Sequence, residues 1–177
     1  MSHPKVRFSL DDAQRAADAW KFNCGPGALC GALNMTPDEI RPHLLDFERK
    51  GYTNPTLMAS ILRGLNVPFR RVYECHHRVS GREPDYPQFG LVRVQWGGPW
   101  TKEGVPMAAR YRHTHWIAMR HLPSLCPQRV VFDINAICAG GWLPWDEWRC
   151  ELVPWLLGEC EPKWDGAWWP THCWELL

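Results

Sequence analysis

The residues with the clearest chemical promise lie in one stretch, Asn23-Cys24-Gly25-Pro26-Gly27-Ala28-Leu29-Cys30-Gly31-Ala32-Leu33. Gly25 and Pro26 permit a sharp entry into a helix, since proline is tolerated in the first turn and glycine allows close backbone approach. Ala28, Leu29, Ala32 and Leu33 then recur at helical spacing. A thiol at the mouth of such a helix sits at the positive end of the helix dipole. There the thiolate is favoured and the pKa falls below the free value of about 8.5. That is the requirement for a cysteine nucleophile. Cys30, six residues on, is turned away from Cys24 and reads as core packing.

A thiol nucleophile also needs a base, and two downstream segments supply candidates. Arg112-His113-Thr114-His115-Trp116-Ile117-Ala118-Met119 runs from polar into a strand-like apolar segment. Arg129-Val130-Val131-Phe132-Asp133-Ile134-Asn135 follows about ten residues later. If the two pair as a hairpin, a histidine opening one strand meets an acid closing the next. The imidazole can then take the thiol proton while the acid orients the ring. His113 and His115 fall on the same side of an extended strand, so spacing leaves both open. Either Asp133 or Asn135 could orient the ring.

Cysteine on a helix, histidine on a strand and acid on the neighbouring strand, in that order, resembles the papain-like cysteine peptidase clan. The local patterns are most similar to the leader-peptidase-like branch associated with bacteriocin export: C-G-P-A-A-L, then H-aromatic-V, then Asp at a strand end. The resemblance covers positions from about 20 to 135. It implies Cys24 as nucleophile, His115, after which the apolar run starts, as base, and Asp133 as the orienting acid. His113 and Asn135 are the alternates. It also implies an acyl-enzyme, a peptide or protein substrate and no cofactor.

The chemistry further needs donors aimed at the developing oxyanion, normally the nucleophile's own backbone N–H and a side-chain amide. The family's glutamine, about six residues before the cysteine, is replaced by Asp18, which cannot donate when ionised. The Cys24 backbone N–H and the Asn23 side chain are the candidates here, and Asn23 is equally placed to cap the helix.

Positioning these groups requires helices first and then a mostly antiparallel sheet, an α+β, papain-like order. Leu10 to Phe22 reads as a helix with Ala13, Ala16, Ala17 and Trp20 on one side. Thr36-Pro37-Asp38-Glu39 is a capping signal for a helix running to about Lys50, where Gly51 stops it. Asn54-Pro55 opens another, with Leu57, Met58, Ile61 and Leu62 as its buried stripe and Gly64 at its end. Residues 67–73 alternate roughly, as a half-buried strand does, and 89–96 read as a second strand. Pro144 to Leu157 reads as a helix around Trp145, Trp148, Leu152 and Trp155, disturbed at its end by Pro154. The tryptophan-rich tail from Glu159 is expected to fold back over the sheet. A single domain over 1–177 is expected, with a helical part at about 9–65, a sheet part at about 66–136 and a C-terminal helix and tail at about 142–177.

Twenty basic and 19 acidic residues leave a formal charge of +1, no footprint for nucleic acid or an anionic membrane. No apolar run is long enough to span a bilayer, and the first residues do not read as a signal peptide, so a cytoplasmic protein is expected; the resemblance implies a bacterial or phage protein. The eight cysteines then read as thiols. Cys75-His76-His77 and the tail residues Cys160, His172 and Cys173 offer metal-ligand types, but without a C-x-x-C pair the spacing predicts no metal site. Eight of the 12 tryptophans lie from Trp142 onward. They suit either a core or a C-terminal face for a sugar or protein partner. Two rival readings therefore stand beside the peptidase: a cell-wall amidase or endopeptidase of the same clan, and an inactive papain-like fold that binds a partner.

Overall fold

Capping chemistry sets where the helices begin. Asn54 accepts the Leu57 N–H through its side chain and Pro55 follows, opening a helix that runs to Gly64. Thr36 and Glu39 form a reciprocal capping box. In the computed structural model, which describes residues 6–20, 24–76, 78, 84–110, 112–122, 129–161 and 163–177, the helices are α1 (Leu10–Trp20), α2 (Cys24–Leu33), α3 (Pro37–Ile40), α4 (Phe47–Lys50), α5 (Pro55–Gly64), α6 (Met107–Arg110), α7 (Trp145–Glu147) and α8 (Val153–Cys160). The strands are β1 (Phe69–Glu74), β2 (Phe89–Trp96), β3 (Thr114–His121), β4 (Arg129–Phe132), β5 (Trp142–Pro144) and β6 (Trp168–Leu176). They form one antiparallel sheet in the order β1-β6-β2-β3-β4-β5. The architecture is α+β.

Side chains along the central strands alternate between two cores, as the period of two requires. Leu91, Trp116, Ala118, Val130, Phe132 and Trp174 join the N-terminal helices on one face. Val92, Val94, Ile117, Met119, Val131 and Cys173 join Trp148, Val153 and Leu157 on the other. The sheet is thus a middle layer, with the N-terminal helices on one side and the C-terminal helix on the other.

The small residues of α2 have a packing reason. A Cβ on Gly27 would lie 2.7 Å from the Ile134 side chain, and one on Gly31 would lie 2.3 Å from the Phe132 ring. Glycine lets the helix carrying Cys24 settle directly onto the end of β4.

Four expectations need correction. The helix from Pro37 does not continue to Lys50: a 3-10 turn at Arg41–His43 and a left-handed Leu45 separate α3 from α4. Pro42 is the reason, because it lacks an N–H and its ring clashes with the preceding turn. Pro154 does not end the last helix near Leu157: α8 continues to Cys160, and the irregularity lies on the N-terminal side of the proline. A π turn over Trp148–Leu152 stands just before α8. That wide turn adds a residue and rotates the buried face, so Val153 and Leu157 are inside and Trp155 is 62% exposed. The tail does not lie over the sheet: its residues 168–176 are β6, inserted between β1 and β2. The sheet accordingly extends well beyond residue 136. Pro170 disguises β6 in the sequence, and it is accommodated at a register shift opposite Arg93 and Val94.

Candidate active site

Cys24 is the first residue of α2, so its N–H has no acceptor within the helix and the dipole's positive end faces it. His115 is the second residue of β3, and Asp133 follows β4 directly. The two strands pair antiparallel, with Ala118 opposite Phe132. This pairing brings the three side chains together at one end of the sheet.

The contacts form a continuous chain. The Cys24 thiol hydrogen-bonds the His115 ring. His115 Nε2 lies 2.9 Å from Asp133 Oδ2, and both residues are buried. With Nε2 committed to the carboxylate, Nδ1 is the nitrogen left for sulfur. The Trp116 backbone N–H also donates to the thiol. Asp133 accepts three further bonds: from Trp148 Nε1 at 2.8 Å on Oδ2, and from the Asn135 backbone N–H at 2.9 Å and Asn135 Nδ2 at 3.0 Å on Oδ1. Four donors on one carboxylate hold it ionised and fix its orientation.

The charges follow from this wiring. Burial raises the Cys24 pKa, but the hydrogen bond and charge of His115, with the Trp116 N–H, outweigh it and hold the thiol below its usual 9.0. Burial lowers the His115 pKa, yet the Asp133 carboxylate and then Cys24 push it up to about 10. Asp133, despite burial, is held below 3.8, chiefly by His115. Each shift favours a thiolate–imidazolium pair backed by a carboxylate. Cys30 behaves in the opposite way: it is buried in the core as expected, and burial pushes its thiol up to about 12.

The walls of the site are aromatic. The Trp96 ring stacks on His115 at 5.8 Å between centroids, and Trp148 stacks on Trp145 at 5.3 Å while covering Asp133. On the other side Thr53 is packed against Gly25, where a Cβ would lie 2.3 Å from Thr53 Oγ1. The Thr53 carbonyl accepts the Trp116 indole N–H at 2.7 Å, which ties the start of α5 to β3 beside the thiol.

The alternates have other partners. His113 Nδ1 lies 3.0 Å from Glu161 Oε1, and its ring stacks on Trp100 at 3.7 Å. Asn135 reaches the site only through Asp133. Of the oxyanion candidates, Asn23 lies outside the described residues, whereas the Cys24 N–H opens α2. Asp18 is exposed and accepts a hydrogen bond from Gln14. Sequence reasoning did not assign a site role to Trp96, Trp148, Trp116 N–H or Thr53. Nothing in the spacing of an indole announces a bond to a carboxylate 15 residues away.

Most tail tryptophans serve packing: Trp142, Trp148 and Trp174 are buried, and Trp164, Trp168 and Trp169 are half-buried. No helix among the described residues is long and apolar enough to cross a membrane. Away from the thiol centre, burial and then Arg93, His76 and Arg71 push His172 down to about 3. No family model matches the chain, and neither a curated protein nor a solved structure similar to it is found.

Proposed function

We propose that this chain is a papain-like cysteine hydrolase that cleaves a peptide or isopeptide bond through an acyl-enzyme on Cys24. The observation that carries the reading is the unbroken chain from the Cys24 thiol through His115 to Asp133. The layout of nucleophile on a helix start, with base and acid on adjacent antiparallel strands, supports the papain-like assignment beyond the plain α+β class.

The reaction follows from these groups. The thiolate attacks the scissile carbonyl carbon, and the carbonyl π electrons move to oxygen, where the Cys24 N–H at the helix terminus donates. His115 passes its proton to the leaving nitrogen as the C–N bond breaks, giving a thioester and a free amine. Neutral His115 then takes a proton from water, whose oxygen attacks the thioester. The carboxylic acid leaves, and the thiolate–imidazolium pair is restored. Asp133 stays ionised and holds the ring in the tautomer that presents Nδ1 to sulfur.

Alkylation by iodoacetamide, read residue by residue by peptide mass spectrometry, tests this without a known substrate. Cys24 is expected to react far faster than the exposed Cys138, Cys150 and Cys160 near neutral pH. His115→Ala should remove that advantage. On a peptide or isopeptide substrate, Cys24→Ala should abolish turnover while leaving the fold intact. Equal labelling of Cys24 and the exposed thiols would reject the enzyme reading in favour of a partner-binding protein.

A further inference from the structure

The sequence carries two groups of metal-ligand types, one at residues 75–77 and one in the tail, about a hundred positions apart. The insertion of β6 beside β1 brings members of both together. Glu74 and His172 are directly opposite in the β1–β6 ladder, and the ladder continues with a 2.9 Å bond from Cys75 N–H to the Thr171 carbonyl. His76 Nε2 and His172 Nε2 each lie 3.7 Å from the same oxygen, Glu74 Oε1. All three ligand atoms lie within 4.8 Å of one another.

We propose that Glu74, His76 and His172 bind a divalent transition-metal ion of borderline softness, with zinc the best match, at the junction of β1 and β6.

The hydrogen bonding prepares the ligands. Thr171 Oγ1 donates its proton to the Arg93 carbonyl at 3.1 Å, so towards His172 Nδ1, 3.1 Å away, it acts as acceptor. His172 therefore carries its proton on Nδ1 and turns the Nε2 lone pair towards Glu74. This is the arrangement a metal-binding histidine requires, with the second nitrogen anchored to a neighbour. His172 is 2% exposed, so the lone pair is aimed from a fixed, buried ring. Glu74 divides its oxygens: Oε2 accepts from Arg71 at 3.2 Å, while Oε1 faces the two imidazoles.

The donor set selects the ion. Tetrahedral zinc with bonds of about 2.0–2.1 Å holds its donors roughly 3.3 Å apart. The two 3.7 Å separations need to close only slightly and the third, between the imidazoles, is no more than 4.8 Å; the half-exposed Glu74 and His76 side chains can supply the movement. Two imidazoles and one carboxylate suit zinc, whereas calcium and magnesium prefer all-oxygen shells. The Arg71 guanidinium offsets the carboxylate charge, so affinity rests on nitrogen coordination rather than on net charge. Three protein ligands leave a fourth position for water.

The ion would join edge strand β1, and the segment after it, to the sheet interior. His172 and Trp116 both pair with Arg93, so their backbones lie two strand spacings apart, about 10 Å. The metal would thus stand apart from the thiol centre, on the far side of β2 from His115.

The test uses the full chain, stripped of metal by a chelator and titrated with zinc alone against a chromophoric indicator. One tightly held zinc per chain is expected, with a rise in Tm. His76→Ala and Glu74→Gln alter half-exposed side chains and should melt like the wild type in chelator. Each should weaken zinc at least roughly tenfold. Cys24→Ala should leave zinc affinity unchanged, and Co²⁺ bound in place of zinc should show no thiolate-to-metal charge-transfer band. The proposal is overturned if no zinc competes with the indicator, if either His76→Ala or Glu74→Gln keeps wild-type affinity, or if affinity is lost with Cys24 or the cobalt spectrum shows a thiolate ligand.

Discussion

Replacing Asp133 by asparagine keeps the side-chain volume but leaves one acceptor oxygen where four donors converge: His115 Nε2, Trp148 Nε1, and the two Asn135 groups. Turned with its oxygen towards His115 and Trp148, the amide faces the Asn135 backbone N–H with a donor. The exposed Asn135 side chain can rotate away, so one buried donor is orphaned, at about 1–3 kcal/mol. Turned the other way, the amide donates to His115 Nε2 and drives the ring proton onto Nδ1, the nitrogen that must accept from the thiol. That loss of the correct tautomer is worth roughly 10⁴-fold in turnover when a buried carboxylate behind a catalytic histidine becomes an amide. In either orientation the imidazolium loses the carboxylate that chiefly holds it at about 10, so its pKa falls back towards 6.5. At ~1.4 kcal/mol per pH unit, that is a large weakening of the pair. Three measurements on one preparation check the reasoning: urea denaturation, the pH profile of Cys24 alkylation, and the NMR titration of the His115 ring. The variant should lose stability, alkylate slowly at neutral pH and titrate His115 at a lower pH. Wild-type profiles for both alkylation and the His115 titration would refute the proposed coupling.

The packing of α2 yields a second expectation. Gly31→Ala would place a Cβ 2.3 Å from the Phe132 ring, and the buried ring can yield only by moving β4. A loss of about 1–3 kcal/mol in chemical denaturation is expected, and an unchanged midpoint would contradict the close approach. The ion pair also gives stability a pH window. His115 is raised, so its contribution is complete below 6.5 and is lost as pH rises through about 10. Asp133 is lowered, so its contribution is present above 3.8 and is lost as pH falls through its folded value. Melting temperature should therefore decline at both ends of the range, and Asp133→Asn should flatten both declines. A variant that still declines as the wild type does would assign the pH dependence to other groups.

Local chemistry accounts for what was legible in the sequence. Thr36-Pro37 and Asn54-Pro55 carry their own start signals, because a cap is satisfied within three residues. The start of α2 at Cys24 and the apolar stretch of β2 are local patterns too, and the pairing of β3 with β4 needs only one short connection. For that reason Cys24 and two pairs of candidates, His113 or His115 and Asp133 or Asn135, were legible from residue types and order, and Cys24, His115 and Asp133 are the three side chains the fold connects. Pro42 was equally local evidence, and it outweighs the strong cap before it.

Tertiary structure decided the rest, where contacts join residues far apart in the chain. No periodicity says that β6 enters between β1 and β2, since strand order is settled by which edges bury most surface together. The choice between His113 and His115 rests on Glu161 and Trp100 occupying the one while Asp133 and Trp96 engage the other. Trp148 meets Asp133 through the π turn, which changes the face its helix presents. Glu74 and His172 stand nearly a hundred residues apart and become neighbours only in the β1–β6 ladder. Each of these outcomes depends on loop closure and shared burial across the whole chain, whereas a cap or a strand period is complete within a few residues.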